Sequence, residues 1–172
     1  MNDWKKEHTE LHYNTLRYLF TSINKIRDVK VMVETGIASG QSGKVMLESC
    51  PKATYYGYDL WLGYDEVNEK PARALLESFE RVNIQKINTQ TLEKFPDNVD
   101  LIYVDGDHST LGCLHDLELV EKHLSPEGII VVHDMDHVPI QEAIKIWNKD
   151  ERFGSFEIKF GRGYGVFWRK EK

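Results

Sequence analysis

The chain has 172 residues, 28 acidic against 22 basic side chains and a formal net charge of −6. That length carries one domain with a real core, and 41% hydrophobic residues suits a globular protein in water. The acidic balance, without a Lys/Arg cluster, argues against a nucleic-acid partner, and no apolar run reaches membrane-span length. Two cysteines, Cys50 and Cys113, are too few for a disulfide framework. Residues 1–7 are polar and lack a signal-peptide core, so a cytoplasmic location is the expectation.

Residues 4–26 read as an amphipathic helix, with Leu11, Leu16, Leu19, Phe20, Ile23 and Ile26 near helical spacing. Residues 29–34 form a first strand, and 42–48 a helix ended by Cys50-Pro51. A second strand covers 54–59. Pro71 suits the first turn of a helix running to about Val82. A weak third strand follows at 84–88. Residues 100–104 and 128–133 are continuous apolar runs, typical of strands buried on both faces. Between them a helix spans 110–124, with Leu114, Leu117 and Val120 inward, and Ser125-Pro126-Glu127-Gly128 turns the chain back. A further helix covers 139–147. A hairpin of 156–160 and 163–168 closes across Gly161-Arg162-Gly163. Alternating strands and helices imply a doubly wound, mostly parallel α/β sheet, with one antiparallel strand in the C-terminal hairpin. The whole chain, 1–172, reads as a single domain: an N-terminal helix over 1–27 and a Rossmann-like core over 28–172.

The most informative stretch is Glu34-Thr35-Gly36-Ile37-Ala38-Ser39-Gly40-Gln41-Ser42. A buried strand ends in an acid, runs into a glycine loop and then into a helix. Gly36 permits a tight turn, and Gly40, without a Cβ, lets a ligand lie against the loop. The helix N-terminus then offers free N–H groups to an anion. The Gly-x-x-x-Gly spacing is not the Gly-x-Gly-x-x-Gly of pyrophosphate loops, which suggests a nucleoside without a diphosphate. Asp59 ends the second strand 19 positions after Gly40, where an acid accepts hydrogen bonds from ribose hydroxyls.

Together these signals resemble the cofactor site of class I S-adenosylmethionine-dependent methyltransferases. The resemblance implies a seven-stranded sheet and covers nearly everything after residue 28. It implies that Glu34, Gly36, Gly40, Ser42, Asp59, Leu60, Thr89 and Asp105 bind S-adenosylmethionine. Glu34 and the glycine loop would hold the methionine end, Asp59 the ribose, and Asn88-Thr89-Gln90 the adenine.

Two strand ends are dense in polar groups: Asp105-Gly106-Asp107-His108 and His133-Asp134-Met135-Asp136-His137. Crowded carboxylates repel unless cations or protons compensate. These segments resemble the small bacterial metal-dependent O-methyltransferases of the macrocin and novobiocin kind. Carried over, the metal ligands are Asp105, His133 and Asp134, the ion is magnesium, and Asp107 is the general base. His108 is the other candidate to take the proton or to hydrogen-bond a substrate, with capping of the next helix alongside Ser109 as the alternative. His133 stands where that branch has an acid, and magnesium rarely takes imidazole. Three readings stay open: Asp105 and Asp134 hold the ion with waters or with Asp136; the ion is softer, such as manganese; or no metal binds and His133 is a base or a hydrogen-bonded strand end. His8 and His12 sit one helical turn apart without a third ligand and read as a solvated face. His115 and His123 read as surface residues. Trp61 and Tyr64 either cover the adenine, or close over the cofactor, or pack in the core or at its rim.

The implied reaction is methyl transfer to an oxygen of a small hydroxylated molecule. Few segments are free to build an acceptor pocket, so it is either open or completed by a second subunit in a homodimer. A rival of another class is a catalytically inactive cofactor-binding or interaction module of the same fold. The missing dinucleotide loop disfavours an oxidoreductase. A metal phosphohydrolase would need further His and Asp ligands on helices.

Overall fold

The structure, a computed structural model, describes residues 3–62 and 67–170, with side chains described from residue 9. Tyr64 and the side chain of His8 lie outside the described residues. The chain runs α1 Asp3–Arg27, β1 Val31–Thr35, α2 Gln41–Ser49, β2 Thr54–Asp59, α3 Glu69–Leu76, β3 Val82–Lys86, β4 Val99–Val104, α4 Thr110–His123, β5 Leu124–His133, α5 Val138–Trp147, β6 Phe153–Ile158 and β7 Tyr164–Arg169. The strands form one seven-stranded sheet in the order β3-β2-β1-β4-β5-β7-β6. Every pair is parallel except β5–β7 and β6–β7, so β7 is the antiparallel strand. The doubly wound, Rossmann-like α/β fold expected from the sequence is the one observed.

Strand alternation divides the core in two. Met32, Leu101, Tyr103, Ile129 and Val131 point to one face, where Leu16 and Phe20 of α1 and Val45 and Met46 of α2 cover them. Val33, Ile102, Val104, Ile130 and Val132 point to the other, under Leu117 and Val120 of α4 and Ile140 and Trp147 of α5. With both faces covered, β4 and β5 carry unbroken apolar runs. Among the described residues no helix is long and apolar enough to cross a membrane.

Several boundaries differ from the expected ones for local reasons. The α1 stripe is narrower: Leu16, Phe20 and Ile23 are buried, while Leu11 and Ile26 are exposed. α1 packs on α2 and β5 through its middle turns, leaving those two residues outside. α3 stops at Leu76, where Ser78 Oγ donates to the Leu75 carbonyl, and Val82 opens β3 instead of closing a helix. Residues 125–128 are part of β5 and not a turn. They are absorbed as a register shift, Val99 facing Leu124 and Leu101 facing Ile129. Asp100 ties this region together, accepting from Ser125 Oγ at 2.9 Å and from the Lys30 and Val31 N–H groups at 2.8 and 3.1 Å.

The topology places the site. From β1 the chain winds outward through β2 and β3, then returns to β4 on the other side. The crevice beyond the carboxyl ends of β1 and β4 is thus the switch point where such sheets bind ligands. At that point Gly36 has φ +83°, and a Cβ there would stand 2.0 Å from the Asp105 carbonyl oxygen. Gly161, in the β6–β7 turn, has φ +58° but nothing within 4 Å. Gly161→Ala should therefore cost about 1 kcal/mol, the αL penalty alone. Gly36→Ala should cost more than about 3 kcal/mol or prevent folding, because the chain must also move β1 away from β4. Urea unfolding followed by circular dichroism measures both; equal midpoints would contradict the close approach.

Candidate functional site

Three loops enclose the crevice. The β1–α2 loop contributes Gly36 and Ala38, the residues after β2 contribute Asp59 to Leu62, and the turn after β3 contributes Asn88, Thr89 and Gln90. Asp105 to His108, after β4, form the remaining wall, and the cleft holds about 570 Å³. That is ample for a nucleoside-sized ligand.

Asp59 is fixed by backbone donors. Its Oδ2 accepts from Ala38 N–H at 2.7 Å and its Oδ1 from Trp61 N–H at 2.6 Å. Ala38 and Trp61 reach it in left-handed conformations, φ +44° and +43°, strained for residues with a Cβ. The buried Trp61 donates from its indole to the Ala38 carbonyl at 2.9 Å, so it braces the loop. Each Asp59 oxygen keeps a second lone pair for a ligand hydroxyl.

Asp107 is held in the same way, its Oδ1 accepting from Ser109 N–H at 2.8 Å and its Oδ2 from the Gln90 amide. This makes Asp107 an anchor between the β3 turn and the start of α4. Ser109 caps α4, accepting from Gly112 N–H at 3.1 Å. Below Gly106 lies a group that sequence reasoning missed, the fully buried Asp116 of α4. Burial pushes its carboxyl up to about 6, opposed by the hydroxyls of Thr89 and Thr35. Its position two turns from an exposed helix start gave no sequence signal.

Past Asp105 the site changes character. His108 Nε2 lies 3.3 Å from Asp105 Oδ1 and 3.2 Å from Asp134 Oδ2. His133 Nδ1 lies 3.0 Å from the same Asp105 oxygen and 3.2 Å from Asp134 Oδ1. The hydrogen bond to Asp105 holds the His108 imidazole above its ordinary pKa. Burial would lower that of His133, but Asp105 and Asp134 outweigh it and raise the net value. Asp105 is raised by burial yet drawn below the usual carboxylate range by the two histidines. Magnesium takes oxygen ligands, and two of these four groups are imidazoles, so the donor set does not fit magnesium. Asp136 stands on the far side, exposed and 3.5 Å from Arg162.

α1 closes this end. His12 is not solvated: its Nδ1 accepts from Tyr164 Oη, and its ring lies 5.0 Å from that of His133. Burial and the neighbouring His133 push His12 down to about 4, so it is a neutral acceptor. His115 and His123 are also tied down, to the Thr89 carbonyl at 3.0 Å and to Asp97 at 2.9 Å.

Of the residues expected at the ligand, Gly36, Asp59, Leu60, Thr89, Asp105, Asp107 and His108 line the cleft. Glu34, Gly40 and Ser42 do not. The space beside Gly40 is closed by Ala72 and Leu76 of α3, each 3.3 Å from where its Cβ would stand, so its missing side chain makes room for that helix. Glu34 is turned under α2, where Tyr55 Oη donates to it and a Cβ on Gly43 would sit 2.7 Å from its oxygen. His133 and Asp134 lie behind Asp105, away from the cleft mouth.

A mostly parallel sheet with a crevice at its switch point, an acid after β2 held by the β1 loop, and acids after β4 and β5 defines a Rossmann-like domain. The family model described as "Methyltransferase domain" matches residues 33–135, and the chain belongs to that family. The O-methyltransferase NovP superposes with a TM-score of 0.72 at 17% identity, covering 94% of this chain and 80% of that one. An S-adenosylhomocysteine-bound O-methyltransferase from Bacillus cereus gives 0.71 at 16% identity over 91% and 81% of the two chains. A methyltransferase from Podospora anserina, also with S-adenosylhomocysteine, gives 0.71 at 17% over 99% and 89%. An uncharacterised protein of Acanthamoeba polyphaga mimivirus is 26% identical over 133 residues, 72% of this chain, which spans 59% of that relative's length.

The buried Glu34 yields a pH prediction. Burial raises its carboxyl from 4.5 to about 8, against the pull of Ser42 and Tyr55. The folded state therefore holds a proton that the unfolded chain releases. Its contribution is fully present below pH ~4.5 and is lost as pH rises to about 8, at roughly 1 kcal/mol per pH unit. Glu34→Gln should flatten this decline in the ligand-free protein, measured by denaturant unfolding from pH 5 to 8. Parallel wild-type and variant curves would place the ionised form in the core.

Proposed function

We propose that this protein is an S-adenosylmethionine-dependent methyltransferase acting on an oxygen of a small hydroxylated acceptor. The observation that carries the reading is Asp59, aimed by two backbone N–H groups into the crevice that Gly36 opens between β1 and β4. The family membership and the fold shared with O-methyltransferases support it. Asp59 accepts the ribose hydroxyls, and Thr89 and its neighbours meet the adenine. The methionine end points toward Asp105. Glu34 acts indirectly, holding the start of α2 and hence the loop.

The bound cofactor supplies an activated methyl group. The chain must place the acceptor oxygen in line with it and take up the hydroxyl proton. His108 is the group placed for that proton: it is exposed at the cleft wall and backed by two carboxylates. Asp107, engaged through both oxygens, holds the loop that carries His108. His12, Tyr164 and Tyr103 pack their rings around His133 on the α1 side, behind Asp105.

Calorimetric titration with S-adenosylhomocysteine tests the cofactor, followed by methyl-transfer assays on phenolic and sugar hydroxyls. The wild-type protein should bind in the micromolar range. Asp59→Asn, which keeps one acceptor oxygen but sets an NH2 group against the other backbone N–H and removes the charge, should bind about ten- to a hundredfold more weakly. Unchanged affinity in that variant would remove Asp59 from the ribose. Absent binding by the wild type would move the protein to the non-catalytic members of the fold.

A further inference from the structure

Asp116 lies where three walls of the crevice meet. It is fully buried, and a Cβ on Gly106 would stand 3.2 Å from its Oδ2 and 3.3 Å from Thr35 Oγ1. The acid thus sits beneath the β4 loop and beside the last residue of β1. The hydroxyls of Thr35 and of Thr89, in the turn after β3, face it closely enough to draw its carboxyl back toward the ordinary range. Yet neither Asp116 oxygen makes an aligned hydrogen bond among the described residues, and neither does Thr35 Oγ1. A buried carboxyl in that state costs stability. Its neighbours on the inward face of α4, Cys113, Leu117 and Val120, carry no such cost. The turn after β3 depends on the same helix. His115 Nε2 lies 3.0 Å from the Thr89 carbonyl, and because a carbonyl only accepts, that nitrogen carries the hydrogen. Gln90 donates its amide to Asp107 Oδ2. Thr89 is therefore held through its carbonyl by one α4 residue and faced through its hydroxyl by the next.

We propose that Asp116 is a positioning residue of the cleft: through the Thr89 hydroxyl it sets the turn that meets the adenine, and the fold keeps a buried acid there at a cost in stability. The inference rests on the S-adenosylmethionine reading of the cleft. A single 3₁₀ turn over Thr89–Thr91 has too few bonds of its own to hold a fixed place. It takes its rigidity from α4, a 14-residue helix packed on β4 and α5. Held in this way, the turn loses little freedom when a base settles on it. A carboxylate suits the task because it offers acceptor sites to two hydroxyls at once, which no apolar residue does. Asp116 touches no ligand, being sealed beneath Gly106, and its effect passes through Thr89 and Thr35.

Asp116→Ala, Asp116→Asn, Thr89→Val and the double variant Asp116→Ala/Thr89→Val are prepared in the full chain. Calorimetry measures their affinities for S-adenosylhomocysteine and for methylthioadenosine, which lacks the amino-acid end; circular dichroism measures Tm. Asp116→Ala is expected to keep a Tm no lower than that of the wild type and to bind both nucleosides about tenfold more weakly, by the same factor. Asp116→Asn, whose amide offers an acceptor to one hydroxyl and a donor to the other, should return the affinity to within about threefold of the wild type. Thr89→Val should lose as much as Asp116→Ala, and the double variant no more than either, the mark of two groups that act as a unit. Wild-type affinity in Asp116→Ala would overturn the proposal and leave the cofactor reading standing. Additive losses in the double variant, or a loss confined to S-adenosylhomocysteine, would do the same. A Tm lowered in step with affinity, or failure of Asp116→Ala to fold, would make the acid a requirement of the core and overturn the proposal as well. Absence of nucleoside binding by the wild type would overturn both readings.

Discussion

The contact between Gly36 and the Asp105 carbonyl governs the architecture of the site. The two strands that part the sheet, β1 and β4, must stay paired to their ends, where Asp105 N–H donates to the Thr35 carbonyl at 2.9 Å; on the other side Gly36 N–H holds β1 to β2 through the Tyr58 carbonyl at 2.9 Å. The chain must then leave both strands without a side chain between them. Glycine alone does this, because the turn needs positive φ and a Cβ would overlap the carbonyl. With the strands held together, Asp105 stays on the α1 side of the sheet, in line with Leu101 and Tyr103, and His133 extends the same row on β5. The pair Asp105 and His133 is therefore a continuation of one core face past the point where the apolar residues end.

The same alternation explains which parts of the site were legible in the sequence. Unbroken apolar runs mark strands buried on both faces, and in a doubly wound sheet their carboxyl ends face one crevice. Hence Asp59, Asp105, Asp107 and His108 could be placed there from the chain alone. Side-chain direction at a loop was not legible. Gly40 and Gly36 look alike in sequence, yet only Gly36 borders the cleft; Gly40 makes room for α3, whose position depends on residues thirty places away. Glu34 falls on the Met32 face, which is covered by α1 and α2, and so it turns under a helix. Its partner Tyr55 comes from the neighbouring strand.

Histidines were the least readable residues. A histidine on an amphipathic helix fits either a wet or a buried face, since its ring is half apolar and its tip polar. His12 is half-buried because Tyr164, on the antiparallel strand at the far end of the chain, presents an Oη to it. No local pattern contains that information, which arises when β7 inserts between β5 and β6. Asp116 is similar: among the inward residues of α4 it replaces an apolar side chain, and only the empty space below Gly106 accommodates it.

Two kinds of acid now share one crevice. Asp59 and Asp107 are paired with backbone N–H groups, which carry no exchangeable charge and hold still. Acids fixed in this way suit recognition, because their remaining lone pairs are presented at constant geometry. Asp105 and Asp134 are paired with imidazoles, which can carry or release a proton. Acids of that kind suit chemistry, because the partner's charge can change while the carboxylates stay in place. The division follows the sheet. The fixed acids border the loops after β1, β2 and β3, and the exchangeable ones stand at the ends of β4 and β5. A ligand lying across the switch point would thus be gripped at one end and exposed to proton exchange at the other.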